Sequence, residues 1–202
     1  QTFATERCDR ACNNILEGRI VILVNGNPYA LIVPAILIDF ITSPEDINLR
    51  HQYGNLIRVI RSIAFFVAMF MPALYVAVTN FHQELLPTDL VFAISAMRRS
   101  IPFPVIVELL IMEISFELIR EASLRVPAPI GSTIGIIGGL ILGEAAVSAN
   151  LVTPLLIIIV AVTGICSYAI PDFSLNFTIR TFRFMYIILG YSAGFLGISF
   201  GM

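Results

Sequence analysis

Four apolar segments, each near the length that a helix needs to cross a lipid bilayer, dominate the sequence. A hydrocarbon core is spanned by about 20 helical residues. Only 13% of the 202 residues are charged and 57% are hydrophobic, whereas soluble domains are about a quarter charged. The sequence therefore predicts a mainly α, polytopic helical membrane protein that contacts membrane lipid. The predicted spanning segments are 56–81, 131–150, 151–171 and 185–202.

The segments between these spans are shorter and amphipathic. Residues 82–104 are bracketed by prolines, so we predict an interfacial or re-entrant helix that ends near Arg98 and Arg99. Residues 172–184 alternate apolar and polar positions and are expected to form a second amphipathic helix.

The first part of the chain has a different character from the rest. Residues 1–18 are polar and indicate the end of a soluble lead-in. Residues 19–42 form a pre-membrane segment in which Asn25 and Gly26 interrupt two β-branched or aromatic runs, a pattern that favours a β-hairpin over a broken helix. Residues 43–202 are predicted to be a helical membrane domain, and because the last apolar run stops abruptly we expect it to be truncated at its C-terminus.

The sequence lacks the patterns typical of catalytic and nucleotide-binding sites. His51 and His82 lie far apart, and no metalloprotease, hydrolase, phosphate-loop or dinucleotide motif occurs. Cys8 and Cys12 are four residues apart without a nearby histidine, which favours an ordinary helix surface over a metal site. The net charge of −2 excludes a nucleic-acid partner of the basic-stripe kind. We expect no enzyme activity, cofactor or metal.

One apolar segment, 104–127, carries too many charges for a simple lipid-facing helix. At 100° per residue, Glu113, Glu117 and Glu121 fall on one line and Arg120 lies beside it. Each charge would cost several kcal/mol in hydrocarbon. This face is therefore predicted to meet protein or water.

Three interpretations of this acidic line stay open. The helix lies at the interface, or its acids pair with arginines, or it forms one wall of a water-filled pore or vestibule. Ion pairs are predicted from Glu117 to Arg120, from Glu121 to Arg125, and to Arg98 or Arg99 of a neighbouring subunit. In a ring of identical subunits the line would instead form stacked acidic rings, which select cations.

A second pattern lies in the segment that follows. Glycines recur at every fourth residue, which presents one smooth helix stripe and predicts close packing against another helix. An intramembrane acid, Glu144, sits beside the last of them. The ladder consists of Gly131, Gly135, Gly139 and Gly143.

Several blocks of the sequence together resemble one known family. They include "EGRIVILVNGNPYALIVP", "SPED", "IPFPVIVELLIMEISFELIREASLRVPAPIGSTIGIIGGLILGEAAV" and "YAIPDFSLNFTIRTFRF". This string is similar to the A subunit of the bacterial spore germinant receptors, including the related accessory spore-membrane proteins. The resemblance runs from about residue 6 to the end of the chain.

The resemblance implies a location and partners. It implies an integral protein of the endospore inner membrane that works with a transporter-like B subunit, which senses the nutrient, and a lipoprotein C subunit. It further implies a homo-oligomeric, ring-like channel that releases monovalent cations and so triggers germination. Glu144 stands where an uncharged polar residue is expected, which puts an additional ionisable group on the glycine-rich helix.

Two other functions remain as alternatives. A non-conducting scaffold would recruit other germination proteins and have an axis plugged by apolar side chains. A secondary transporter would show a paired internal repeat, and the sequence has no repeat of that kind.

Overall fold

A computed structural model describes residues 2–47 and 49–202. The described residues form three strands, eight α-helices and two short 3₁₀ helices, Pro44–Ile47 and Gln83–Leu85, so the predicted mainly α class is confirmed. The strands are β1 (Phe3–Thr5), β2 (Ile20–Leu23) and β3 (Ala30–Val33). The helices are α1 (Cys8–Leu16), α2 (Leu37–Ile41), α3 (His51–Phe81), α4 (Thr88–Arg98), α5 (Val105–Arg125), α6 (Ala128–Ser148), α7 (Pro154–Tyr168) and α8 (Phe173–Gly201).

The chain divides into two compact units. The first unit comprises residues 1–65 and 168–178, and the second comprises 66–167 and 179–202. The helices α3 and α8 each contribute to both units.

A small antiparallel sheet organises the first unit. The predicted hairpin is present, since β2 pairs with β3 and Ile20 lies opposite Val33. Gly26 has φ +83° in the connecting turn, a conformation that glycine adopts without a Cβ clash. The alternative of a broken helix is therefore wrong. The strand β1 pairs with the other edge of β3. We did not predict this strand, because it is only three residues long and lies in a polar segment.

Polar contacts hold α2 close to this sheet. Arg19 Nη1 donates to Asp39 Oδ2 at 2.6 Å, and the backbone N–H of Ile36 donates to the same oxygen at 2.8 Å. Arg10 donates to the backbone carbonyls of Asp39 and Thr42. Burial acts to raise the pKa of Asp39, but the hydrogen bonds and charges of these donors outweigh it and lower that pKa below its ordinary value.

A separate short turn precedes α3. A 3₁₀ helix covers Pro44–Ile47, and α3 begins only at His51. The backbone N–H of Ser43 donates to Asp46 Oδ2, and Arg61 Nη1 lies 2.5 Å from that oxygen. Asp46 therefore ties the turn to α3.

The second unit has an apolar core between its helices. Its fully buried members come from α3, α5, α7 and α8, while α5 and α6 pack against each other as a helical hairpin. These core side chains include Val76, Leu109, Met112, Leu156 and Ile187.

The prediction of four spanning helices is confirmed for only two in the described part of the chain. The helices α3 and α8 are long and apolar enough to cross a bilayer. The helix α7 has 15 residues, or about 22 Å at 1.5 Å per residue, which is shorter than a hydrocarbon core of about 30 Å. Several side chains of α6 lie outside the described residues, so its span stays a prediction.

The helix α8 also joins two segments that we predicted separately. Residues 172–184 and 185–202 share one helix because no breaker lies between them. The backbone departs from helical geometry further along, at Gly194, with φ +62°. At Gly190 the approach to α3 is close, since an added Cβ would lie 2.8 Å from the carbonyl oxygen of Ala73.

We predict that the first unit loses stability in acid through Asp39. Because its folded pKa is lowered, its contribution is present above its ordinary pKa of 3.8 and is lost as the pH falls through the folded value. At pH 7 Asp39→Asn should destabilise the sheet by about 1 kcal/mol. Hydrogen exchange in Ile20–Leu23 and Leu37–Ile41 measures this loss.

The exposed Glu45 provides the control for this prediction, and Glu45→Gln should leave that exchange unchanged. The difference between wild type and Asp39→Asn should shrink towards pH 3. A difference that persists in full at that pH would contradict the assignment.

Candidate functional site

The centre of the charged helix α5 carries a buried ion pair. Arg183 of α8 donates from Nη1 to Glu113 Oε2 at 2.9 Å, and both side chains are 4% exposed. Arg183 also donates from Nε to the backbone carbonyl of Ala68 in α3 at 2.8 Å. A single guanidinium therefore connects α3, α5 and α8.

One turn further along α5, a second set of ionic contacts follows. Arg180 of α8 donates to Glu117 in a short hydrogen bond, and Arg120 Nη1 lies 4.0 Å from the same carboxylate. Arg120 also donates to Ser167 Oγ of α7 at 2.8 Å. The predicted contact between Glu117 and Arg120 thus exists, but α8 supplies the closer partner.

The last acid of the line lies at the surface. Arg125 Nη2 approaches Glu121 at 2.7 Å, and their side chains are 79% and 52% exposed. This pair matches the predicted i,i+4 contact. The acidic line of α5 is thus buried at Glu113 and solvent-exposed at Glu121.

A separate pair involves Glu108, which points away from this line. Its side chain is 1% exposed, Arg98 of α4 lies 3.4 Å from Oε1, and the backbone N–H of Thr153 donates to Oε2 at 3.2 Å. We expected Arg98 or Arg99 to pair with a neighbouring subunit. Within the chain Arg98 already contacts Glu108, whereas Arg99 is exposed.

The sequence alone predicted no partners for Arg180 and Arg183. Their i,i+3 spacing on α8 matches the i,i+4 spacing of Glu113 and Glu117 on α5, which is the signal that could have suggested the contact. Which two helices face each other depends on the tertiary fold, and spacing alone does not determine it.

The glycine ladder of α6 faces two neighbouring helices. A Cβ at Gly131 would collide with the backbone carbonyl oxygen of Ser123 in α5, whereas one at Gly135 or Gly139 would meet α5 side chains at ordinary distances. At Gly143 the nearest atoms belong to Ile157 of α7, 3.7 Å away. The closest backbone approach is therefore at Gly131.

The remaining predicted site residue, Glu144, is exposed on α6. It follows Leu140 and Ile141, whose side chains are also exposed. Among the described residues Glu144 has no ion-pair partner, and an unpaired carboxylate is costly in hydrocarbon. This face is therefore suited to water or to another protein chain.

The chemistry available at this site is electrostatic. Within the described residues no group of three or more histidine, cysteine or acidic side chains could hold a metal ion. The paired acids and arginines neutralise one another and link helices to each other. Arginine suits this role because its planar fork binds a carboxylate and keeps its charge when buried.

These features define a class: a mainly helical protein with two helices suited to a bilayer and ion pairs between its helices. Comparison with known proteins then places the chain. The profile described as "Bacillus/Clostridium GerA spore germination protein" matches residues 1–202. The chain belongs to the GerA family of spore germination proteins, as its resemblance predicted.

Curated relatives match along almost the whole chain. It is 44% identical to spore germination protein KA of Bacillus subtilis over 99% of its length, and 44% identical to spore germination protein B1 of the same species over 97%. It is also 45% identical over 98% of its length to a Bacillus subtilis protein named uncharacterized membrane protein YfkQ.

The match covers only part of these relatives. The chain spans 37%, 41% and 38% of their respective lengths, or about two fifths of each. No solved structure matches the chain significantly.

We predict that the Glu113–Arg183 pair is essential for stability. Glu113→Gln leaves the Arg183 charge buried without a counter-charge and should destabilise the second unit by about 3–5 kcal/mol. Unfolding of the full-length protein in mild detergent measures the loss. The exposed control, Glu121→Gln, should cost less than about 0.5 kcal/mol. Equal losses in the two variants would refute the prediction.

The glycine ladder gives a prediction of graded tolerance. Gly131→Ala should weaken the α5–α6 hairpin by about 1–3 kcal/mol, because the new methyl group meets backbone that cannot move aside easily. Gly139→Ala should be tolerated, since its nearest neighbour, a ring atom of Phe116, lies at 3.6 Å and alanine favours the helix. Thermal unfolding in detergent compares the two, and a more damaging Gly139→Ala would contradict this packing.

Proposed function

We propose that this chain is part of the membrane subunit of a nutrient germinant receptor that triggers endospore germination. The observation that carries the proposal is the match of all 202 residues to the GerA family, together with 42–44% identity to four proteins named spore germination proteins. Two helices suited to a bilayer support a place in the endospore inner membrane.

Within that function, the subunit forms a homo-oligomeric channel that releases monovalent cations and is gated by the B and C subunits. The exposed carboxylates Glu121 and Glu144 support a wet or subunit-facing surface. Glu113 and Glu117 are engaged by Arg183 and Arg180 of another helix, which favours a structural role for them, whereas the exposed Glu121 pairs only with Arg125 of its own helix. The permeation path therefore uses the exposed end of the acidic line and the Glu144 face.

A non-conducting scaffold is the second candidate. It is favoured by the neutralised charges of Glu113 and Glu117 and by the 45% identity to a relative named only as a membrane protein. A scaffold would assemble in the membrane and affect germination without passing ions.

The germination role is tested in spores. Deletion of the gene for the full-length protein should abolish the response to at least one nutrient, and the intact gene should restore it. Spores that respond normally to every nutrient used by the host would reject the receptor role.

Ion conduction is tested separately with the full-length protein and its partner subunits in liposomes. Glu144→Gln and Glu121→Gln should each reduce nutrient-dependent potassium release severalfold, because each removes a fixed negative charge from the path. Glu45→Gln, which removes an exposed carboxylate in the first unit, should not. Release unaffected by the first two changes would exclude these acids as lining, and absence of any release would favour the scaffold.

A further inference from the structure

A cavity of about 420 Å³ lies in the second unit between the C-terminal end of α3 and one face of α4. This volume falls within the range of about 300–1,000 Å³ that is usual for small-molecule sites. One face of α4 lines it with four residues at the i, i+3, i+4 and i+7 positions of a helix. These residues are Val91, Ile94, Ser95 and Arg98, and the remaining lining residues are Thr79, Asn80, Gln83, Leu86 and Arg99.

The charge of this cavity is positive. Two adjacent guanidiniums, those of Arg98 and Arg99, line it, and among the described residues no acidic side chain does. Glu108 forms an ion pair with Arg98 at 3.4 Å, so the uncompensated positive charge of the cavity comes from Arg99. In the described part of the chain Arg99 makes no ion pair. A guanidinium binds phosphate oxygens through two parallel hydrogen bonds, which makes it the preferred side chain for such groups.

Neutral polar and apolar groups complete the lining. The side chains of Asn80 and Ser95 can donate hydrogen bonds, while Leu86, Val91 and Ile94 form an apolar wall. A polar charged end next to an apolar wall fits an amphiphilic anion better than a fully hydrated ion.

The position of the cavity indicates where such an anion would come from. The cavity lies at the end of α3, a helix long and apolar enough to cross a bilayer. On α4 the side chains of Leu90, Phe92 and Met97 are exposed, which gives this short helix an apolar outer surface next to its arginines. That combination is typical of a helix at the level of the lipid headgroups.

We propose that the α3–α4 cavity binds a phosphate-bearing anion and that the headgroup of an anionic membrane lipid supplies it. Arg98 and Arg99 hold the phosphate, Ser95 and Asn80 add hydrogen bonds, and the apolar wall contacts the start of the acyl region. Binding at this site fixes α4 against the end of α3. The proposal does not depend on the role in germination.

The test uses the full-length protein in a zwitterionic detergent and measures lipid binding by native mass spectrometry. The probes are phosphatidylglycerol, phosphatidylcholine and inorganic phosphate. Phosphatidylglycerol should bind about tenfold more tightly than phosphatidylcholine. Arg99→Gln should weaken phosphatidylglycerol binding about tenfold, as loss of a hydrogen bond to a charged group implies.

The matched control is Arg125→Gln, which removes another exposed arginine that lies outside the cavity. It should leave lipid affinity unchanged, and both variants should retain the wild-type unfolding temperature within a few degrees. Displacement of the lipid by inorganic phosphate would show that the phosphate group suffices for binding. Failure of inorganic phosphate to displace it would identify the lipid as the source.

Two results would overturn the proposal. One is equal phosphatidylglycerol affinity in Arg99→Gln and Arg125→Gln. The other is equal affinity of the wild-type protein for phosphatidylglycerol and phosphatidylcholine.

Discussion

The buried pair between Glu113 and Arg183 is the contact on which the arrangement of the second unit depends. A charge removed from water costs several kcal/mol, and only a close opposite charge with further hydrogen bonds offsets that cost. Here the guanidinium of α8 donates to the carboxylate of α5 and to a backbone carbonyl of α3, while Glu113 Oε1 and Arg183 Nη2 have no hydrogen-bond partner among the described residues. Each helix is thereby held in one register relative to the other two, since a shift by one residue would separate the charges.

The rest of the charged helix follows from this register. With Glu113 against α8, the next acid on the same face meets Arg180, and the following turn reaches solvent at Glu121. The opposite side of α5 packs on the glycines of α6, whose small size allows the two backbones to approach closely. A segment that resembles a membrane helix interrupted by charges therefore contacts α8 through its acids and α6 through close packing.

Local patterns in the sequence predicted local structure well. The pair Asn25-Gly26 indicated the hairpin, and the angular positions of the acids placed Glu113 and Glu117 on one face of α5, where both contact arginines of α8. The strand β1 escaped prediction because its three residues carry too little pattern, and its pairing with β3 depends on a distant segment. The partners of Glu113 and Glu117 were not predicted for a similar reason. Spacing shows that two arginines can pair with two acids, but it does not show that α8 faces α5. Counting apolar residues predicted four spans, of which two are confirmed. One of the others, α7, ends after 15 residues.

The most direct test of this account is a double-mutant cycle at Glu113 and Arg183 in the full-length protein. Unfolding in mild detergent would be measured for Glu113→Gln, Arg183→Gln and the double variant. If the two charges stabilise the fold through each other, the double variant should lose less than the sum of the single variants, with a coupling of about 1.5 kcal/mol or more. Additive losses would contradict the account, because each side chain would then act independently of the other.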